Sequence, residues 1–512
     1  MEMFPFSWFA KLFSSEKTSS HAEKFMDDEE EKKEAGKAPA KKNRPVQDQG
    51  SGEVQEKKRL EPITAKKAER LLIWAGVDFG TSFTKVAYRV LGGNRRVFPA
   101  AVSPNSEMPY ALPSLLAFDG RKVLYGDAAN FFLRDKPWND GVRYLKILFA
   151  GDVDEEYRDD DLDARFREYC DSQVLNMELL KPGYMVAAYL AWVFRRIKNC
   201  LGKKFEANNI TYNFNVCLPI DTFEKENVRR EFQRAINAAS ALEKDWDGEN
   251  GLWLLEKAAA LWDCTAASEP DGSTVHLVPE AVAQMASYVN SLSAENKIHG
   301  VIDFGAGTTD FSIFNLCEDV EEGKCAFWYN AITFPGGMER VESSVARLFE
   351  KRDAPLDYPK LQSVMANIAR EKQEIRQEVK EQLETIWEKS RFPAWGAAYK
   401  KRKQGSEWKR NKVKVFVCGG GSGLPYVKEI FGRSWYEDSW GPYEVVSHFS
   451  PSDFGGRPED FSRLSVAYGL TFPRPELQKY VLPKDCPDQT PAPLPRMADP
   501  DGSWGPVYAD IH

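Results

Sequence analysis

Apolar and polar residues alternate in ordered patterns from about Leu71 to Phe472, and these patterns predict the secondary structure. Short apolar runs bounded by glycine or proline predict buried strands at residues 76–79, 210–218, 301–304 and 414–418. Longer segments with one broad apolar face predict helices at residues 184–201, 222–239, 359–389 and 463–472. Residues 275–290 predict a strand that runs into a helix. Strands that alternate with helices indicate the α/β class.

The two ends of the chain lack this ordered pattern. Residues 3–13 (MFPFSWFAKLF) contain aromatic residues that share one face if the segment is helical. Three interpretations remain open for them: a disordered start, an interfacial anchor or a docking peptide. Residues 16–69 are rich in Lys, Glu and Ala and predict a disordered tether. We therefore expect residues 1–70 to be an N-terminal tail, residues 473–512 to be a Pro-rich C-terminal tail, and residues 240–273 to be an irregular insertion.

Composition narrows the class of protein. The 512 residues are 42% hydrophobic and 29% charged, which predicts a soluble globular protein with a polar appendage. The net charge of −8 makes nucleic acid an unexpected partner. The eight cysteines are scattered without a C-x-x-C pair, so we expect reduced thiols in a cytosolic setting and no zinc ribbon.

Candidate chemistry is concentrated at residues 301–314, VIDFGAGTTDFSIF. An apolar strand ends at Asp303, a turn with Gly305 and Gly307 follows, and a second strand leaves through Thr308, Thr309 and Asp310. Glycines in such a turn bring backbone N–H groups close to an anion, and the aspartate is placed to hold a hydrated cation. Taken alone, this pattern also fits an ordinary β-hairpin.

A second copy of the pattern lies at residues 76–85, GVDFGTSFTK, with Asp78 before a turn of Gly80, Thr81 and Ser82. The repetition predicts two related halves that clamp a metal–polyphosphate from both sides. The chain has no H-R-D catalytic loop of protein kinases and no G-x-x-x-x-G-K-S/T loop.

Three further segments carry candidate binding residues. Residues 143–151, RYLKILFAG, place Lys146 in an apolar setting. Gly336 and Gly337 stand just ahead of an amphipathic segment. Residues 414–425, KVFVCGGGSGLP, predict a buried strand that ends in glycines, a form that lets a planar base approach the backbone.

The order of these motifs resembles the nucleotide-binding domain of DnaK-type heat-shock chaperones, within the actin, sugar-kinase and heat-shock superfamily. The resemblance covers about residues 72–472, and includes VCLPIDTFEKENVRREFQRAINAA, LVPEAVAQMASY and SVAYGL as connecting segments. It implies an actin-like ATPase fold of two lobes, each a mixed β-sheet with flanking helices, with ATP and magnesium in the interlobe cleft. On this basis we expect one lobe at residues 71–220 and the other at residues 221–472.

The resemblance also implies roles for individual residues. Asp78 and Asp303 would hold the magnesium shell and orient the attacking water, which Lys146 would position. Residues implied to contact the nucleotide are Gly80, Thr81, Ser82, Gly305, Gly307, Thr308, Thr309, Gly336, Gly337, Gly419, Gly420 and Gly421. Lys85 falls where actin and several sugar kinases keep a phosphate-binding lysine, and a surface strand lysine is the alternative. Lys372 lies in a helix that loosely matches the base- and ribose-binding helix.

Three departures from the family pattern bear on activity. DnaK-type proteins have Glu-Pro at the first connecting segment, whereas Val278 precedes Pro279 here. Whether Glu280 replaces that carboxylate is open, and a Val278→Glu change is expected to leave turnover unchanged or raise it. The segment between the double glycine and the adenosine motif is short. Nothing after Phe472 could build a β-sandwich substrate-binding domain.

The sequence therefore predicts a slow, magnesium-dependent ATPase that acts as a nucleotide switch or chaperone-related factor for an unidentified protein partner. The alternatives are an actin-like filament protein, a pseudo-ATPase scaffold and a small-molecule kinase of the same superfamily. The expected location is the cytoplasm, and weak peripheral contact with the inner face of a membrane through residues 3–13 is one interpretation.

Overall fold

The computed structural model describes residues 70–488, except residues 137–139, 207–208, 249, 320–322, 353–355, 357, 403–407, 409–411 and 434–442. The predicted tether, the segment at residues 3–13 and the last part of the predicted C-terminal tail lie outside the described residues. Within the described ranges, no helix combines the length and apolar character needed to cross a membrane.

The chain forms mixed β-sheets flanked by helices, which confirms the α/β class. The first sheet is six-stranded, in the order β3-β2-β1-β7-β8 with β4 paired to β2, and β5 and β6 form a separate hairpin. Its strands and that hairpin are β1 Leu71–Phe79, β2 Phe83–Leu91, β3 Val97–Pro99, β4 Ala111–Pro113, β5 Leu116–Asp119, β6 Lys122–Tyr125, β7 Ile210–Leu218 and β8 Val275–Pro279.

The second sheet is also six-stranded, in the order β13-β12-β9-β10-β11-β14. Its strands are β9 Ile298–Phe304, β10 Thr309–Asp319, β11 Gly323–Phe334, β12 Val413–Cys418, β13 Tyr443–Ser447 and β14 Lys479–Val481.

The two sheets repeat one topology. In the first, β1 pairs antiparallel with β2 and parallel with β7, and β7 pairs parallel with β8. In the second, β9 pairs antiparallel with β10 and parallel with β12, and β12 pairs parallel with β13. The hairpins β1–β2 and β9–β10 therefore occupy equivalent places, and both predicted glycine turns connect the strands of these hairpins.

The helices described between residues 127 and 262 pack with the first sheet and the β5–β6 hairpin. They are α1 Asp127–Phe132, α2 Leu145–Val153, α3 Asp160–Asp171, α4 Pro182–Phe205, α5 Ile220–Glu224, α6 Glu226–Asp245 and α7 Gly251–Trp262. α4 has Pro182 at its first turn and Lys203 and Lys204 at its last, as helix geometry and the helix dipole favour.

The irregular insertion predicted at residues 240–273 is instead largely helical. α6 continues to Asp245, and α7 begins where the Asn250 side chain accepts hydrogen bonds from two backbone N–H groups. Leu254, Leu255 and Trp262 of α7 are buried in the core of the first sheet. The prediction failed because this apolar face is matched by a surface of α4 and α6 that the local sequence does not reveal.

Most of the helices described between residues 280 and 469 flank the second sheet, and the last of them packs against the first sheet. They are α8 Glu280–Val289, α9 Met338–Glu350, α10 Tyr358–Ala366, α11 Gln373–Lys401, α12 Val427–Phe431 and α13 Phe461–Gly469. α9, α10 and α11 cover one face of the sheet, and α8 covers the other. The single helix predicted at residues 359–389 is two helices separated by a 3-10 turn, Ile368–Arg370, and the second continues to Lys401.

The boundary predicted at residue 220 is too early. Helices α6 and α7 and strand β8 belong with the first sheet, so this unit extends to Pro279. α8 then leads to the second sheet, and α13 returns from it and packs against α8. A Cβ on Gly469 of α13 would lie 1.8 Å from the Ala283 carbonyl oxygen of α8, so the close crossing of these two connecting helices requires glycine.

The folded chain also continues past residue 473, where the sequence predicted a tail. β14 adds to the edge of the second sheet in parallel with β11, and Leu477 is buried beside Val278. Glu476 forms an ion pair with Arg89 of the first sheet, 2.6 Å between Oε2 and Nη2. Proline-rich composition suggested a tail, but these apolar and charged side chains find partners on both sheets.

Candidate functional site

A cleft with a volume of about 160 Å³ lies between the two glycine turns. The turns face each other directly, because a Cβ on Gly307 would lie 2.8 Å from Cγ2 of Thr81. The cleft brings together most of the predicted site residues: Asp78, Gly80, Thr81, Ser82, Lys85, Lys146, Asp303, Gly305, Thr308, Gly420 and Gly421.

Other predicted residues lie behind the cleft wall and support it. The Thr309 hydroxyl donates a hydrogen bond of 2.7 Å to the Gly336 carbonyl oxygen. Next to Gly337, the backbone N–H of Met338 donates to the Gly305 carbonyl oxygen at 3.1 Å, which fixes the start of α9 against the second turn. Thr309, Gly336 and Gly337 thus shape the site without lining it.

Lys372 is not brought to the cleft. It precedes the first turn of α11, its side chain is exposed, and it does not line the cavity. The helix that was loosely matched to a nucleotide-binding helix instead packs its apolar face onto the second sheet.

Asp78 and Lys85 form an ion pair at the floor of the cleft. They are cross-strand neighbours in the β1–β2 hairpin, and Lys85 Nζ lies 2.6 Å from Asp78 Oδ2. Burial raises the pKa of Asp78 against the attraction of Lys85. Burial alone would lower the pKa of Lys85, but the carboxylates of Asp78 and Asp303 raise it. Lys85 therefore remains a cation that lines the cleft, and the surface alternative does not hold.

Lys146 forms the second ion pair, with Glu280. Lys146 lies in the first turn of α2, Glu280 is the first residue of α8, and Nζ is 2.7 Å from Oε2. Burial alone would lower the pKa of Lys146, but the Glu280 carboxylate raises it above the usual value. Glu280 thus supplies a carboxylate inside the cleft.

Val278 does not line the cleft. It is 1% exposed and packs with Cys217, Val466 and Leu470 in the core between the connecting helices. The structure therefore places the Glu280 side chain at the cleft and the side chain of residue 278 among apolar neighbours.

Two carboxylates stand side by side on the opposite wall. Asp303 Oδ2 accepts a hydrogen bond of 2.6 Å from Gln284, and burial together with Glu280 raises the pKa of Asp303 to about 7. Asp310 is the cross-strand neighbour of Asp303 in the β9–β10 hairpin and accepts a hydrogen bond of 2.5 Å from Thr333. Burial together with Glu280 raises the pKa of Asp310 to about 8.

Asp310 is a site residue to which the sequence analysis assigned no role. Two aspartates equally spaced about a hairpin turn are the signal that could have found it, because antiparallel register places them opposite each other.

Gly419, the residue after β12, packs closely against Asp303 and Phe304. Its φ is +85°, and a Cβ there would lie 2.4 Å from Asp303 Oδ1. Glycine is required on both counts, since other residues rarely adopt this backbone conformation and a side chain would displace the carboxylate. The next two residues, Gly420 and Gly421, then line the cleft.

The carboxylates of the cleft suit a hard divalent cation. Ligand atoms of Asp78, Cys217 and Glu280 lie within 4.8 Å of one another, and the Cys217 thiol donates to Asp78 Oδ1 at 3.6 Å. Burial raises the pKa of the Cys217 thiol well above its usual value, so the carboxylate oxygens are the available donors. Oxygen donors of this kind are preferred by magnesium.

Further residues, most of them polar, line the same cleft. They are Asn130, Arg143, Tyr144, Glu339, Glu342, Ser343, Leu361 and Gln362. The Glu339 carboxyl forms an ion pair with Arg165 at 3.7 Å, which spans from α9 to α3. Burial raises the pKa of Glu342 to about 7.

No protein-family model matches the chain, and no curated protein matches it significantly. The resemblance in motif order therefore remains a prediction, and function is inferred from the cleft itself.

Proposed function

We propose that this protein binds ATP with magnesium in the cleft and hydrolyses it slowly to ADP and phosphate, as a nucleotide switch. The observation that carries the proposal is the facing pair of glycine turns with four carboxylates and two lysines between them. The carboxylates are Asp78, Glu280, Asp303 and Asp310, and the lysines are Lys85 and Lys146.

The repeated topology supports an actin-like fold for this function. Each sheet with its helices would be one lobe, and the nucleotide would lie between the equivalent hairpins β1–β2 and β9–β10. Because each hairpin contributes an aspartate and a glycine turn, both lobes would hold the same ligand.

Charge supports a divalent cation in the site. Asp78 and Glu280 are paired with the two lysines, whereas Asp303 and Asp310 have raised pKa values that a bound cation would lower by favouring their ionised form. Asp78, Glu280, Asp303 and Asp310 would hold the hydrated ion. Magnesium, when bound, neutralises phosphate charge and so makes the terminal phosphorus easier to attack.

The protein's own groups would act by positioning. Backbone N–H groups of residues 81–82 and 306–308 would face the phosphates, and Lys85 would contribute a cation beside them. The Lys146–Glu280 pair would orient the attacking water in line with the bond that breaks. Gly420 and Gly421 would leave room for the base at the cleft wall.

The output of the switch would be a change in the relation between the two sheets. α8 begins at Glu280 in the cleft and crosses α13 at Gly469. A change at Glu280 on hydrolysis would therefore reach the surface that both connecting helices support, where a protein partner would read it.

Calorimetry with magnesium and ATP on the full chain tests the proposal. Wild type is expected to bind only when magnesium is present, and Asp303→Asn is expected to weaken this binding or abolish turnover without unfolding. Asp119→Asn is the matched control, since Asp119 is exposed on β5 and does not line the cleft. Wild-type protein that does not bind Mg·ATP would overturn the proposal.

A further inference from the structure

Two cysteines lie directly opposite each other in the second sheet. In the antiparallel pairing of β10 with β11, Cys317 is the cross-strand partner of Cys325. Directly opposite residues of an antiparallel pair point to the same face, and their Cα atoms are about 4.5 to 5.5 Å apart. A disulfide joins residues whose Cα atoms are about 4.4 to 6.8 Å apart. The register of the hairpin therefore brings the two thiols within reach of a bridge.

Small molecules can reach this pair from solvent. Both cysteine side chains are partly exposed, and the adjacent Glu318 and Gly323 are exposed. The other neighbours in sequence, Leu316 and Ala326, are buried on the opposite face of the sheet. The hairpin thus buries one face and leaves both thiols accessible on the other.

A third thiol lies beside the pair but is much less accessible. Cys486 follows β14, the strand that pairs with β11 from Cys325 onward, and its side chain is 2% exposed. Burial raises the pKa of the Cys486 thiol, and the nearby Cys325 adds to this increase. Because the thiolate is the reactive form of cysteine, a reaction with a solvent-borne reagent begins at the partly exposed pair.

We infer that Cys317 and Cys325 form a modification site, a dithiol that a low-molecular-weight disulfide oxidises to an intramolecular bridge. The thiolate of one cysteine attacks a sulfur of the small disulfide, forms a mixed disulfide and releases one small thiolate. The thiolate of the other cysteine then attacks the protein sulfur of the mixed disulfide and releases the second small thiolate. The two released thiolates take up the two protons that the cysteines lose, so one bridge forms for each small disulfide reduced.

The geometry of the pair makes this bridge reversible. Cβ atoms of directly opposite residues are about 4.5 to 5.5 Å apart, whereas those of a disulfide are about 3.5 to 4.5 Å apart. Drawing the cysteines together strains the hairpin, and strained disulfides are reduced more easily. The bridge therefore responds to the supply of oxidant. It is independent of the proposed nucleotide binding, because neither cysteine lines the cleft.

Peptide mapping of the full chain tests the inference. Trypsin cleaves after Lys297, Lys324 and Arg340, so residues 298–324 contain only Cys317 and residues 325–340 contain only Cys325. The native protein is incubated with millimolar glutathione disulfide, the remaining thiols are alkylated, and the digest is analysed by mass spectrometry. The proteins compared are wild type, Cys317→Ser, Cys325→Ser and the control Cys264→Ser, which removes an exposed thiol outside the pair.

Wild type and Cys264→Ser are expected to give the two peptides joined by a disulfide, and excess reduced glutathione should remove the link. Cys317→Ser and Cys325→Ser should each retain one glutathione on the remaining cysteine of the pair, because the thiolate that displaces it is missing. Wild type should not accumulate this mixed disulfide.

Three results with wild type would each overturn the inference. They are glutathione on either cysteine without a link, a link from either peptide to residues 485–496, which contain Cys486, and no reaction at either cysteine. If a serine variant does not fold, the alanine variant at the same position replaces it, and the map of wild type decides by itself.

Discussion

At the scale of single residues, the cleft is organised by two ion pairs. Lys85 with Asp78 and Lys146 with Glu280 are held at 2.6 and 2.7 Å. Each lysine keeps its charge because a carboxylate lies beside it. The pairs differ in origin: the first joins neighbouring strands of a hairpin, and the second joins α2 to α8.

The two lysines are expected to have different roles. Lys146→Ala should lower the rate of hydrolysis while nucleotide still binds, because its partner Glu280 would no longer be held in place to orient water. Lys85→Ala should weaken nucleotide affinity instead, since Lys85 lies beside the first phosphate turn. Single-turnover hydrolysis and equilibrium binding separate these effects, and a wild-type rate in Lys146→Ala would contradict the assignment.

His299 should make stability depend on pH. It is fully buried beside Tyr288, and burial lowers its pKa to about 3. As pH falls below about 6.5, the unfolded chain takes up a proton that the folded chain does not, so the free energy of unfolding falls. Between pH 7 and pH 5 this contribution is about 2 kcal/mol.

Urea unfolding at the two pH values checks this expectation. His299→Gln can retain the hydrogen bond to Tyr288, and it should lose less stability than wild type over the same interval. An equal loss in both proteins would show that His299 is not the group responsible.

At the scale of elements, the junction of β8 and α8 decides which side chain enters the cleft. Val278 is the penultimate residue of the strand and faces apolar neighbours, Pro279 ends the strand, and Glu280 opens the helix toward Lys146. Val278 and Glu280 are only two residues apart, yet the first side chain lies in the core and the second lies in the cleft.

Val278→Glu is therefore expected to destabilise the fold, contrary to what the sequence alone suggests. An unpaired carboxylate in this apolar core should lower the free energy of unfolding by roughly 3 kcal/mol or more. Thermal unfolding of Val278→Glu and of the matched Val278→Leu separates charge from size. A Val278→Glu protein of wild-type stability with faster turnover would contradict this account.

The segment after α13 should also behave as part of the fold. Truncation after Asp488 removes only residues that the structure does not describe. Truncation after Phe472 removes β14, buried Leu477 and the Glu476–Arg89 ion pair. Loss of the leucine contact alone should cost about 2 kcal/mol.

Thermal unfolding of the two truncated proteins checks whether the segment after Phe472 stabilises the fold. The shorter protein should unfold at least several degrees lower, and equal melting temperatures would show that β14 contributes little to stability.

At the scale of the whole molecule, two sheets of the same topology present equivalent hairpins to one cleft. α8 and α13 pack against each other near that cleft, and Gly469 sets their close crossing. This arrangement supports a switch, because a ligand shared by both hairpins would bias the relation between the sheets.

Turnover without a partner is expected to be slow, well below the roughly 10 s⁻¹ typical of enzymes. Asp78 and Glu280 are already paired with lysines, so the ion and the attacking water must share their oxygens with ammonium groups. Each tenfold loss of rate needs only about 1.4 kcal/mol of extra barrier. A steady-state assay of the purified protein that returns about 10 s⁻¹ or more would favour a kinase or a true hydrolase.

The sequence by itself determined the α/β class, the strand before each glycine turn and the long helix α4. These follow from local signals: apolar periodicity, glycine at sharp turns, and proline or charge at helix ends. The sequence could also predict three site residues, Asp78, Lys85 and Asp303. Each lies in a hairpin, and a hairpin brings together the residues on either side of its turn.

Only the tertiary structure decided the rest of the site. Lys146 and Glu280 are 134 residues apart, and no local pattern predicts their contact. The helical character of α7, the extension of the first unit to Pro279 and the addition of β14 likewise depend on surfaces formed by distant segments. Burial, which sets the pKa values of the carboxylates and separates Val278 from Glu280, is a property of the packed chain and is absent from any single stretch of its sequence.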